Sequence, residues 1–98
     1  MPVPTGGRTS MQQDAAEAIA LRGLAFLAAE QARLARFLAV TGMDPAELRA
    51  RADTLELSCA VLEHLAGDES LLLVFAATCG IAPEKVAPAI AVLQAQRA

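Results

Sequence analysis

The sequence predicts an all-α protein, a compact orthogonal bundle of about six short helices. Three observations predict it. Alanine supplies roughly a quarter of the chain and leucine much of the rest, and both lose little entropy in a helix. β-Branched residues are sparse, and no stretch alternates apolar with polar residues at a period of two. Apolar residues recur instead at three- and four-residue steps, punctuated by Gly, Pro, Ser and Asp.

The chain has 98 residues, of which 55% are hydrophobic and only 3% aromatic, with no Trp or Tyr. A single domain of this size buries only about 60–65% of its unfolded surface, so so dense an apolar content is what one core requires. Residues 1–10 (MPVPTGGRTS) show no periodicity and are expected to be a disordered leader, with Met1 or Met11 as the native start; residues 11–98 form the single helical domain.

Ser10, with Gln13 three residues on, predicts a capping box opening the first helix, which runs to about Ala29. Ala16, Ile19, Ala20, Gly23, Leu24 and Leu27 form its buried stripe. Gly23 within that stripe costs about 1 kcal/mol against Ala, which predicts close passage of a neighbouring helix. Helix two spans Gln31 to Thr41 and ends at Gly42. Asp44 as cap, Pro45 in the first turn and Glu47 as the reciprocal cap start a short third helix ending near Ala52, with Met43 and Leu48 as its hydrophobic staple. Asp53 or Thr54 opens helix four, which Gly67 closes. Asp68 caps helix five, Leu71 to Cys79, apolar on every side and therefore expected to be the central buried helix. Gly80 ends it. Ile81 and Val86 staple the last helix, and Pro88, one turn in, predicts a kink or a late start.

A shift of 38 residues superimposes the halves. Leu24, Leu27 and Ala28 fall on Leu62, Leu65 and Ala66; Leu34, Phe37 and Ala39 on Leu72, Phe75 and Ala77; Gly42 and Pro45 on Gly80 and Pro83; Glu30 on Asp68. A shared rule for stopping and starting helices accounts for part of this. The matches of scarce Phe, Gly and Pro favour two pseudo-repeated three-helix units with helices two and five equivalent, and Glu30 capping helix two.

The net charge is −3, which weighs against nucleic acid, since phosphate binding needs a basic face. Arg22, Arg33, Arg36, Arg49 and Arg51 fall in the first half, whereas every charged residue from Asp53 to Glu84 is acidic. Ordinary solvated faces explain this distribution, or a dipolar surface that meets a partner. The run from Leu71 to Cys79 is far shorter than the ~20 residues of a membrane span, so no membrane is expected. No export signal opens the chain, and Cys59 and Cys79 are expected to stay reduced in the cytoplasm.

No catalytic, metal or cofactor constellation emerges. His64, the one histidine, stands five residues from Cys59, about 140° around a helix and on the wrong face for shared ligation. By the repeat it occupies the position of Phe26, which predicts a packing role. Cys79 beside a helix-ending glycine sits where the helix dipole raises a thiol pKa, the opposite of activation. The spacing about Gly42 and Gly80 resembles a helix-turn-helix, but the second helices begin Pro-Ala-Glu-Leu-Arg and Pro-Glu-Lys-Val-Ala, with Glu47 and Glu84 where phosphates would lie and only Arg49, Arg51 and Lys85 to help.

The segments AIALRGLAFLA (18–28), RFLAVTGMDPAELRARA (36–52) and LLLVFAATCGIAPE (71–84) resemble a small bacterial family of all-helical proteins known as a domain of unknown function. The resemblance covers about Asp14 to Val92, and Thr41 to Arg49 is its most specific part. It implies a helical bundle in the bacterial cytoplasm and no activity, cofactor or catalytic residue. The expectation is therefore a non-enzymatic interaction module or homodimer. Its contact face is expected among Arg33, Arg36, Arg49 and Arg51, or among Ile90, Val92 and Leu93 of the last helix, where exposed apolar area marks a binding surface. A helix-turn-helix-like DNA-binding regulator and a carrier of small apolar ligands are the alternatives.

Overall fold

The computed structural model describes residues 11–97, which form six α-helices and one 3₁₀ turn: α1 (Gln13–Ala28), α2 (Gln31–Thr41), α3 (Pro45–Arg51), α4 (Leu55–Ala66), α5 (Glu69–Cys79), the turn Pro83–Lys85 and α6 (Val86–Arg97). The expected leader and Ser10 lie outside the described residues. The N-cap of α1 is Gln12, without a side-chain capping bond, so Gln13 is the first helical residue, and its side-chain Nε2 donates to Glu17 Oε2 at 2.8 Å.

The remaining helix ends follow their chemistry. Asp44 accepts from the Glu47 amide at 2.8 Å while Glu47 accepts from the Asp44 amide at 3.1 Å, completing the reciprocal cap of α3. Thr54, rather than Asp53, caps α4 by accepting from the Leu57 amide. Asp68 caps α5 as expected, accepting from the Leu71 amide, and the helix begins at Glu69, two residues before the apolar run. Glu30 holds the N-cap position of α2 without a capping bond; its carboxylate pairs instead with Arg33 at 3.5 Å. Gly42 and Gly80 end α2 and α5 at φ of 76° and 66°, the left-handed conformation that favours glycine. Pro88 is the third residue of α6, where no intrahelical donor is needed, so the helix starts late and does not kink there.

The centre belongs to α1, α4 and α6, which pack extensively on one another. Their wholly buried residues include Ala16 and Leu27 of α1, Leu62 and Leu65 of α4, and Ala89 and Leu93 of α6. Gly23 lies at the α1–α4 crossing, where a Cβ would stand 2.9 Å from Val61 Cγ1; the close passage inferred from its sequence position is there. The expectation that α5 is the central helix fails. Only Phe75 and Ala76 of that helix are buried, while Leu73 is 51% and Val74 46% exposed. Hydrophobic content does not choose the centre. Close approach does, and Gly23, Ala16, Ala20 and Ala89 permit it where a run of Leu and Val does not.

The 38-residue repeat has a packing counterpart. Phe26 of α1 meets Phe75 of α5 at 5.4 Å between ring centroids, and His64 of α4 meets Phe37 of α2 edge-on at 5.2 Å. The shift exchanges these two pairs, so α1–α2 and α4–α5 cross-pack reciprocally. Phe37 and Phe75 are both wholly buried. The third helices break the pattern: α3 stops after seven residues beside α4, whereas α6 runs for twelve between α1 and α4. The α5 segment and the Pro83–Arg97 segment meet at 108°, a near-perpendicular corner of the orthogonal bundle.

Candidate functional site

Two surface features are not accounted for by the core. The first is a groove of about 540 Å³ between α1, the end of α3 and the start of α4. Helical spacing aims Glu17, Ala20, Leu21 and Leu24 of α1 into it; Leu55, Ser58 and Val61 of α4 form the opposite side; Arg49, Ala50 and Asp53 close one end. Leu21 is 65% exposed. The lining is mixed: Ala20, Leu21, Leu24, Leu55 and Val61 are apolar, and Glu17, Arg49, Asp53 and Ser58 bring charge and polarity. The groove is open to solvent and does not enclose a cavity.

The second feature is the outer face of α5. Ser70, Leu73, Val74 and Ala77 recur at i, i+3, i+4 and i+7, and all four are exposed. No charged residue interrupts the chain from Ser70 to Gly80. Phe75 and Ala76 hold the opposite face on the bundle, and Arg22 of α1 donates to the Cys79 carbonyl at 3.0 Å, tying down the helix end.

The residues singled out from the sequence do not form one patch. Arg33 is engaged internally: its guanidinium lies 4.0 Å over the Phe26 ring and donates to the Phe26 carbonyl. Arg36 is exposed on α2. Arg49 lines the groove, whereas Arg51 borders a separate hollow with Thr41, Met43, Glu56 and Arg97. Ile90 and Val92 are half-buried. Leu93 is wholly buried and belongs to the core, so it is withdrawn from any contact face. Leu21, Leu73 and Val74 were missed. The first was visible only as a leucine beside the predicted stripe of α1, and the other two were assigned to the interior.

His64 has the packing role expected of it. Its Nε2 is buried without a hydrogen-bond partner among the described residues. Burial first, and Arg36 second, push its pKa below 6.5, against an upward pull from Asp68. Cys59 is buried and Cys79 half-buried, both as free thiols. Among the described residues no three His, Cys, Asp or Glu side chains gather as a metal-binding group.

A family profile described as "Protein of unknown function (DUF3572)" matches residues 13–96. Comparison with curated proteins and with solved structures finds no match.

Proposed function

This chain belongs to the DUF3572 family of proteins of unknown function, and we propose that it is a non-enzymatic module that binds protein through exposed apolar helix surface. The observation that carries the reading is the outer face of α5, where Leu73 and Val74 stand half-exposed on a helix that carries no charge beyond Glu69 in its first turn. Isolated exposed apolar residues are ordinary, but a contiguous row of them on one helix face is a contact surface. The reading carries a bacterial, cytoplasmic setting with it. Two free thiols suit a reducing compartment.

One observation speaks for nucleic acid: the 108° corner between α5 and the Pro83–Arg97 segment falls within the range of helix-turn-helix motifs. The second helix of that corner argues the other way. It is wedged between α1 and α4, burying Val86, Ala89 and Leu93; at its exposed N-terminal positions Ala87, Pro88 and Ala91 offer no donor to a base edge, and apart from Lys85 before it the exposed donors, Gln94, Gln96 and Arg97, stand at its far end. A carrier of small apolar ligands needs an enclosed cavity, and the groove is open.

Placing a photoreactive phenylalanine analogue at position 73 in cells that make the protein tests the reading. A discrete protein adduct, with a second copy or with another protein, is the expected result. Irradiation that yields no adduct at position 73 or at position 74 sinks it.

A further inference from the structure

We infer that α2 is a latch on the bundle, pinned where Phe37 meets His64 and released when His64 takes up a proton. The inference is independent of the interaction-module reading above. It begins from how lightly α2 is held. α1 buries six residues and α4 five, whereas α2 buries only Phe37. Leu34 and Leu38 are half-buried beside it. α2 packs chiefly on α1 and only narrowly on α4. Arg33 ties its first turn to Phe26 of α1. At the far end Gly42 forms an open corner, with a left-handed φ and nothing within 4 Å of where a Cβ would lie. The end free to swing is therefore the one that carries Phe37. Helices with few buried apolar contacts open locally before the whole fold does.

The pin is sensitive to charge. Phe37 and His64 meet edge-on, with ring centroids 5.2 Å apart and planes at 77°. His64 Nε2 is buried and has no hydrogen-bond partner among the described residues. A neutral imidazole tolerates this, because it carries one proton and can leave the other nitrogen bare. The imidazolium carries a proton on both nitrogens, and the one on Nε2 finds no acceptor. Burying such a charge is costly.

Two charged groups act on His64: Arg36 of α2, and Asp68 at the N-cap of α5. Asp68 favours the imidazolium, but its carboxylate already accepts from the Leu71 amide at 3.1 Å. Arg36 opposes it. Arg36 directly precedes Phe37, so the helix that sets a ring against His64 also brings the opposing cation. One motion, α2 swinging off α4, relieves both. In the docked state burial first, and Arg36 second, hold the His64 pKa below 6.5; in the open state it returns toward the ordinary value of about 6.5. Docking is therefore fully favoured above about 6.5 and loses ground as the pH falls from there toward the docked pKa. The open state bares Leu34, Phe37 and Leu38 together, an apolar surface withheld at neutral pH.

Hydrogen–deuterium exchange of the full chain tests the latch, read by peptide mass spectrometry at about pH 7 and about pH 5 and normalised for the intrinsic exchange rate. Protection of the α2 amides is expected to fall by about twofold or more at the lower pH, with a smaller fall in α1, α4 and α6. His64→Phe keeps an aromatic ring at the pin and removes the proton site, so its α2 protection should be equal at both pH values. Arg36→Gln, at an exposed position, removes one of the two opposing causes and should lessen the fall. Circular dichroism confirms that both variants are folded. Protection of α2 that does not change with pH in wild type overturns the latch. An equal fall in every helix also overturns it, since protonation then weakens the whole fold alike. A fall that persists in His64→Phe removes His64 as the sensor. Protection that rises in acid means that the Phe37 ring holds the imidazolium by a cation–π contact, the opposite of release.

Discussion

Gly23→Ala sets two effects of known size against each other. In an exposed helix interior the change stabilises by about 1 kcal/mol, through the lower backbone entropy of the unfolded chain. In α1 the new Cβ would lie 2.9 Å from Val61 Cγ1 and 3.0 Å from Leu65 Cδ1. Carbon pairs rest at about 3.5–4.0 Å, so Val61 must retreat by about half an ångström or more and Leu65 by a few tenths. Neither has room. Val61 is 1% and Leu65 0% exposed, and the branched Val side chain is stiff about χ1. Overpacking of this kind costs about 1–3 kcal/mol. Set against the helix gain, a net loss near 1 kcal/mol follows, or a fall in Tm of about 4–8 °C for a domain of this size. With no Trp or Tyr in the chain, far-ultraviolet circular dichroism is the suitable probe of thermal and urea unfolding. A rise in Tm would refute the close α1–α4 crossing. The cycle with Val61→Ala sharpens the test, because the smaller side chain makes room for the new methyl. A coupling of at least about 0.5 kcal/mol is expected, and strict additivity would count against the argument.

Three further outcomes follow from named groups. His64 is harder to protonate folded than unfolded, since burial holds its pKa below 6.5; its contribution is full above about 6.5 and falls as the pH drops toward the folded pKa. His64→Phe, which copies the Phe26 position, should remove that component of the pH dependence and add about 1 kcal/mol near neutrality by eliminating an unpartnered buried nitrogen; urea midpoints that track those of wild type from about pH 7 to 5.5 would rule this out. Asp44→Ala removes one half of the reciprocal cap on a seven-residue helix and should cost about 1 kcal/mol, read as a lower urea midpoint at unchanged m. At Gly42 and Gly80 a Cβ would meet nothing within 4 Å, so Ala at either position should cost about 1–2 kcal/mol from backbone strain alone, and a neutral result would show that the corner relaxes out of the left-handed conformation.

Helix boundaries were legible because Gly42, Asp44, Pro45, Gly80 and Asp68 each act within one turn. The sharpest tertiary inference also came from a single residue, Gly23, whose helix penalty announces a close neighbour. The placement of α5 was not legible. A run of Leu71 to Ala77 without polar interruption has no periodicity from which to read a buried side, and the small residues that let α1, α4 and α6 approach carry no comparable hydropathy signal. The groove escaped for a related reason. It exists because α3 is short, and what fails to cover Leu21 leaves no mark on Leu21 itself. The arginines stood out as charges, but Arg33 spends its guanidinium on Phe26 and Glu30.

The central trio also bears on how quickly the molecule can form. In an up-and-down bundle each helix docks on the one made just before it, and the core closes through short loops. Here the helices that meet at the centre are the first, fourth and sixth, so assembly must close loops that span whole intervening helices before most apolar area is buried. Loop-closure entropy enters ahead of the contacts that offset it, and folding rates fall as mean sequence separation rises. Measured by stopped-flow, this chain should fold more slowly than a neighbour-packed helical bundle of equal length and stability, with α1–α4 docking, through Gly23, inside its rate-limiting barrier.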